Sequence, residues 1–275
     1  MSVDVGQLAM LAGVLLASGV AAGLLAGLLG VGGGIIMVPI LYFVFGALEV
    51  DPAVQMHMAV GTSLTAMIPT SIRSALAHRK KGALDMDLFK RWLPGIAVGV
   101  IIGVLVAAKV KGPVLMGVFA AFAIVVGLHM AFGKTSWRLA SQLPGVWGQR
   151  LMATAIAGVS VMMGIGGGTF TVPALTLFGY PIHRAVGTAA AIGVIIAIPG
   201  SIGFVLGGLG EAGRPVGSLG YASLIGAAAL IPTTVIAAPW GAALAHRLDP
   251  VWLRRAFALF LGATGVRMAM SLFGA

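Results

Sequence analysis

Two nearly identical glycine-rich breaks interrupt the long apolar runs of this chain. Gly30-Val31-Gly32-Gly33-Gly34 leads into an apolar stretch ending at Val38-Pro39, and Gly164-Ile165-Gly166-Gly167-Gly168 leads into one ending at Val172-Pro173. The surrounding runs are continuous rather than alternating, which points to membrane-crossing helices and not to barrel strands. With 59% hydrophobic and 9% charged residues and a mean hydropathy of +1.07, the chain has too little polar surface for a soluble domain. A paired break at corresponding points of two membrane-embedded halves is a sequence pointer to a transporter binding site.

The apolar segments run roughly over 7–29, 35–45, 56–77, 92–108, 113–132, 151–163, 169–179, 185–206, 219–245 and 251–273. The second, sixth and seventh fall short of the roughly 20 residues of a full span. They are expected to be tilted, broken or re-entrant, which hydrocarbon tolerates only where protein or a water-filled cavity shields the backbone.

The halves align segment by segment, as after an internal duplication. His57-Met58-Ala59-Val60-Gly61-Thr62 matches His183-Arg184-Ala185-Val186-Gly187-Thr188, and Ile68-Pro69-Thr70-Ser71 matches Ile198-Pro199-Gly200-Ser201. Pro94, Gly103, Lys109, Phe119, Phe122, Gly127 and Met130 match Pro232, Gly241, Arg247, Phe257, Phe260, Gly265 and Met268 at one constant offset. An odd number of segments per half makes the second half enter from the opposite side, so the expected fold is an all-α transmembrane bundle of two inverted-topology repeats. The first repeat is placed at 1–132, a cytoplasmic linker at 133–149 and the second repeat at 150–275.

Charge agrees with that parity. With both termini outside, Arg79, Lys80, Lys81, Lys90, Arg91, Lys134, Arg138, Arg150, Arg184, Arg247, Arg254 and Arg255 all fall on the cytoplasmic side. The outer side keeps Lys109, Lys111 and Arg214 with Glu49, Asp51 and Glu211. This is the positive-inside pattern, and it accounts for the net charge of +10 without nucleic acid. The N-terminus has no basic stretch ahead of its apolar run, so that run is expected to remain as a span. The chain has no cysteine, which excludes disulfides and thiolate metal sites.

A helix beginning just after a glycine turn offers unpaired N–H groups and the positive end of its dipole. Gly32, Gly33 and Gly34, with Gly166, Gly167, Gly168 and Thr169, are therefore the candidate anion cradle. Pro39 and Pro173 are candidate hinges of the short helices that follow. Thr62, Ser63 and Thr188 are candidate hydroxyl ligands. His57 and His183, at matched segment starts, are candidates for gating or proton linkage. His78 and His246 are expected to be solvated among loop cations, and His129 and Arg267 to snorkel at segment ends. Every Asp and Glu lies in or beside a loop, so no intramembrane carboxylate is available to carry sodium or a proton, which argues for an anionic solute.

These residues carry a family resemblance. Leu28–Pro39, Ala59–Ser63, Ala77–Asp85, Gly164–Pro173 and Gly217–Met268 resemble the sulfite exporter TauE/SafE family. The resemblance implies a multi-pass inner-membrane permease for sulfite, sulfonates or other small organic anions, with no cofactor, no metal and no enzymatic activity. Its expected partners are a small anionic substrate and the lipid bilayer, with homo-oligomers left open. The second half has Ala189 where the first has Ser63, so the hydroxyl set is incomplete. Three other readings stand beside the transporter. A passive anion channel would share the dipole site, a membrane-embedded enzyme would need acid–base residues the apolar segments lack, and a structural subunit would have no use for duplicated breaks.

Overall fold

The computed structural model describes residues 5–30, 32–132, 139–244 and 250–272. The helices are α1 (Val5–Leu29), α2 (Gly34–Ala47), α3 (Pro52–Lys80), α4 (Met86–Ala107), α5 (Gly112–Phe132), α6 (Val146–Met162), α7 (Gly168–Leu177), α8 (Ile182–Gly207), α9 (Leu224–Leu244) and α10 (Pro250–Leu272). The all-α bundle and the short second, sixth and seventh segments are as the sequence implies, with 14, 17 and 10 residues in α2, α6 and α7. Among the described residues, five helices are long and apolar enough to cross a membrane: α1, α4, α5, α8 and α9.

Several boundaries differ from the apolar pattern: α4 and α6 begin five or six residues early, and the differences at α3 and α9 have visible causes. Helix α3 runs beyond 56–77 at both ends because polar residues cap it. Asp51 accepts from the Ala53 N–H at 2.8 Å, Pro52 occupies the first turn, and His78, Arg79 and Lys80 complement the dipole in the last turn. Before α9, the expected single segment 219–245 opens instead with a two-stranded ribbon. Strand β1 (Ser218–Leu219) pairs with β2 (Ala222–Ser223) around Gly220, whose φ of 56° only glycine adopts cheaply.

The main helix pairs correspond when the halves are exchanged, although the α3–α5 contact has no equally extensive α8–α10 counterpart among the described residues. Helix α1 lies on α9 and α6 on α4; α2 packs on α3 and α7 on α8; α3 crosses α8, and α5 pairs with α10. Backbones come close along the first two pairs. A Cβ at Gly23 would stand 2.8 Å from the Thr234 Cα, and one at Gly99 would press on the Thr154 carbonyl. Small residues on one helix against backbone on the next are how helices gain packing energy where lipid removes the hydrophobic drive.

Helix α3 is the polar spine of the bundle. It buries Gln55, His57, Thr62, Ser63, Thr70, Ser71, Ser74 and His78. The outer faces of α4 and α9 carry exposed apolar residues such as Ile101, Leu105 and Ile236, as lipid-facing surfaces do. One end of the bundle gathers Lys81, Asp85 and Arg184. The other gathers Asp51, the α4–α5 connection and the 208–221 segment. Lys134, Arg138, His246, Arg247 and Asp249 lie outside the described residues.

Candidate functional site

The two glycine breaks meet at the centre of the bundle. A side chain at Gly32 would bring its Cβ to 2.8 Å from Met67 Cε, 3.1 Å from Ser71 Oγ and 3.4 Å from Gly166 Cα. One at Gly34 would run into the Gly164 carbonyl and lie 2.9 Å from Ile165 Cα. Gly33 turns away, toward the Ala22 carbonyl at 2.7 Å, and Gly167 faces Ile192 Cγ2 at 2.6 Å. All six turn glycines, Gly32 to Gly34 and Gly166 to Gly168, are buried.

The two turns are not conformational copies. Gly30 and Gly164 share a left-handed φ of 66° and 65°, but Gly32 and Gly33 stay left-handed at 70° and 79° whereas Gly167 is right-handed at −54°. In the second turn Gly164 N–H donates to Val161 O, Ile165 N–H to Ser160 O and Thr171 N–H to Gly167 O. The amides of Gly166, Gly167 and Gly168 take part in none of these bonds, as expected ahead of and within a first helical turn.

A hydroxyl not singled out from sequence stands at this junction. Ser71 is 1% exposed and its Oγ has no hydrogen-bond partner among the described residues. Besides facing Gly32, it lies 3.3 Å from where a Cβ on Gly193 would be, and the Gly167 nitrogen is 3.8 Å from that same point. The available signal was the Ile-Pro-x-Ser repeat: Ser201, the counterpart of Ser71, bonds Thr65 at 2.8 Å, so only one of the pair is left over. Thr169 and Thr171 in α7 are also buried with unpartnered hydroxyls. Ser63 instead donates to Gly164 O at 2.9 Å and ties α3 to the second turn.

Thr62 and Thr188 are engaged elsewhere. Thr62 Oγ1 accepts the Ser223 N–H at 2.9 Å and Thr188 Oγ1 accepts the Asp85 N–H at 3.0 Å. Each reaches from one half to the residue capping a helix of the other. What remains of each for a solute is its hydroxyl proton. Pro39 and Pro173 sit at the same step of α2 and α7, where each removes one amide and leaves the carbonyl four residues back without its helical donor.

The histidines part company. His57 is buried, its Nε2 lies 3.2 Å from both Ala107 O and Val110 O, and its ring stacks on Tyr221 at 4.9 Å. It borders a cavity of about 10 Å³ with Val104, Ala108, Gly203, Phe204, Gly207 and Tyr221, a lining that includes none of the turn glycines. His183 is exposed at the start of α8. His78 is not solvated as expected: it is buried, with Nε2 3.0 Å from Gly27 O, because α1 covers that face of α3.

Among the described residues the acidic side chains and the Asp85–Arg184 ion pair lie at the ends of the bundle. Asp85 accepts from the Asp87 and Leu88 amides and from the Tyr180 hydroxyl, and pairs with Arg184 at 2.9 Å. Burial opposes ionisation of Asp85, but the Leu88 amide, Tyr180, Arg184 and the Asp87 amide outweigh it and hold the carboxyl below its usual range. Burial and the adjoining Asp85 push the Tyr180 hydroxyl up. No cluster of His, Asp and Glu among the described residues could hold a metal ion. The centre therefore offers backbone amides and neutral hydroxyls, a donor set suited to an oxyanion.

The family model of the sulfite exporter TauE/SafE family matches residues 15–268. The chain belongs to the sulfite exporter TauE/SafE family. This TauE/SafE protein is 31% identical to a probable membrane transporter protein of Haemophilus influenzae, over 91% of its own length and 95% of the relative's. It is 26% identical to the probable membrane transporter protein MJ0441 of Methanocaldococcus jannaschii, over 94% and 95% of the two chains. It is also 26% identical to the probable membrane transporter protein YunE of Bacillus subtilis, over 86% and 89%. No solved structure gives a significant match. Family, relatives and apolar helices together make this TauE/SafE chain a multi-pass membrane transporter and not an enzyme.

Proposed function

We propose that this transporter exports a small sulfur-containing or organic oxyanion, such as sulfite or a sulfonate, by alternating access. The observation that carries the reading is the meeting of Gly32 with Gly166 beside the unpartnered hydroxyl of Ser71. Amides at the starts of α2 and α7 supply partial positive charge where a full cation would be costly in hydrocarbon. Ser71 and Thr169 add hydroxyl protons from opposite halves. An anion bound there touches both halves at once, so their relative motion moves it from one face to the other.

Inverted repeats suit this scheme. The main helix pairs correspond on exchange of the halves, which supports the scheme, and an odd count of five crossings per half would orient the halves oppositely across the bilayer. The end carrying Lys81 and Arg184 is assigned to the cytoplasm by the positive-inside rule, with both termini outside. Outward movement needs no coupled ion: releasing one negative charge from an interior about 100 mV negative yields roughly 2.3 kcal/mol.

Purified protein in proteoliposomes tests the reading directly. A panel of radiolabelled oxyanions is offered with membrane voltage and pH gradient imposed separately. Saturable flux of sulfite or a sulfonate that follows the voltage is the expected result. Absence of saturable flux for every oxyanion in the panel sinks it. Unitary currents far above about a thousand ions per second would move the assignment to a channel sharing the same dipole site.

A further inference from the structure

The two ends of the bundle are closed by matched contacts, and one of them carries an addition. At one end Thr62 holds the Ser223 amide and Gly61 lies against the Tyr221 carbonyl. At the other, Thr188 holds the Asp85 amide and Gly187 lies against the Ala83 carbonyl. Ser223 and Asp85 are themselves counterparts, each at the start of its half's fourth helix: Ser223 Oγ accepts the Gly226 amide at 3.1 Å and Asp85 Oδ1 accepts the Leu88 amide at 3.0 Å. These contacts are neutral and interchangeable between the ends.

The difference is ionic. Asp85 Oδ2 pairs with Arg184 Nη2 at 2.9 Å and takes the Tyr180 hydroxyl, both from the second half. The matched residues at the other end are Ser223 and Met58, and Met58 is fully buried. We infer that the Asp85–Arg184 pair is an ionic latch on one face of the transporter, and that it makes opening at that face harder than opening at the Ser223 face.

An alternating-access protein opens one end while the other stays shut, so the population of its two open states depends on the difference between its closures. Equal neutral contacts cancel in that difference, whereas the ion pair and the Tyr180 bond do not. Asp85 here is a positioning residue: it is not among the neighbours of Gly32, Gly34 or Gly167 at the junction. The latch rests on the alternating-access part of the proposed function but not on which anion is carried.

The absence of cysteine provides the test. Ser71→Cys places one reporter thiol at the central junction. Its reaction with a membrane-impermeant maleimide is followed in right-side-out and inside-out vesicles, so each face is read separately. Asp85→Asn keeps an N-capping side chain while removing the charge, and it is expected to raise labelling from the Asp85 face about fivefold, the scale of a modest conformational coupling. Arg184→Gln should do the same. Thr62→Val should raise labelling from the opposite face. The exchange Asp85→Arg with Arg184→Asp, which keeps an ion pair but not the cap or the Tyr180 bond, should bring the ratio part of the way back toward the parental value, which loss of a merely structural residue would not do.

An unchanged ratio overturns the latch, as does an equal rise from both faces or no labelling from either. Failure of every oxyanion to protect the thiol speaks against the proposed site alone and leaves the ratio standing.

Discussion

The Thr188 hydroxyl accepts the backbone N–H of Asp85 at 3.0 Å, joining α8 of the second half to the cap of α4 in the first. The mirror contact, Thr62 to Ser223 at 2.9 Å, joins α3 to the start of α9. Valine at either position keeps the shape and strands a backbone amide. Thr188→Val and Thr62→Val are each expected to cost about 1–3 kcal/mol, to add nearly independently, and to be recovered by serine. Thermal unfolding in detergent measures all three statements, and additivity failing by more than about 1 kcal/mol would contradict the separation of the ends.

Ser71→Ala removes a hydroxyl that has no hydrogen-bond partner among the described residues, so the fold is expected to lose little by it. The variant is expected to unfold at or slightly above the parental temperature. Its oxyanion affinity should fall about tenfold, the loss of one hydrogen bond worth about 1.4 kcal/mol. Flux at varied solute concentration decides between a ligand and a bystander.

Bulky residues at the turns are a poor probe of the site, because Gly33 and Gly167 abut Ala22 and Ile192 rather than the junction. Gly34→Ala is more informative. Its methyl would press on the Gly164 carbonyl and on Met67 Sδ at 2.7 Å. The two turns would have to separate, at an expected cost of about 1–3 kcal/mol of overpacking. Loss of thermal stability together with loss of transport is the outcome, read on the same detergent-purified sample.

Acid should loosen the charged end first. The Asp85 carboxyl is held below its ordinary range in the folded protein. A depressed folded value stabilises above the unfolded one, near pH 3.9, and that contribution disappears as pH falls through the folded value. Unfolding temperature measured from pH 7 downward should therefore drop more for the parental chain than for Asp85→Asn below about pH 4. Identical acid profiles for the two would remove the ionic role of Asp85.

Much of this was legible because hydrophobic length and repetition are local signals. Short α2 and α7 follow from glycine on one side and a loop on the other, and the paired motifs at His57 and His183 mark equivalent helix starts. The repeat did not say that equivalent residues would meet different surroundings. His57 is buried against Tyr221 while His183 is exposed, and Ser201 finds Thr65 while Ser71 finds no partner. His78 looked solvated among basic neighbours, yet α1 lies over it. Threonine next to glycine reads equally well as a ligand or as an interhelical acceptor, and only the position of the Ser223 and Asp85 amides chooses.

Composition and period alone determined that this chain crosses a membrane as helices, in two related halves with breaks near the start of each, because burial of apolar side chains and backbone hydrogen bonding in lipid admit few other forms. Tertiary packing decided that the two breaks face each other, that Ser71 stands beside them with no partner among the described residues, and that Asp85 pairs with Arg184 at one end. Those outcomes depend on contacts between residues far apart in sequence, such as Ser63 with Gly164 and Asp85 with Arg184, and no local pattern encodes which distant surface a side chain will meet.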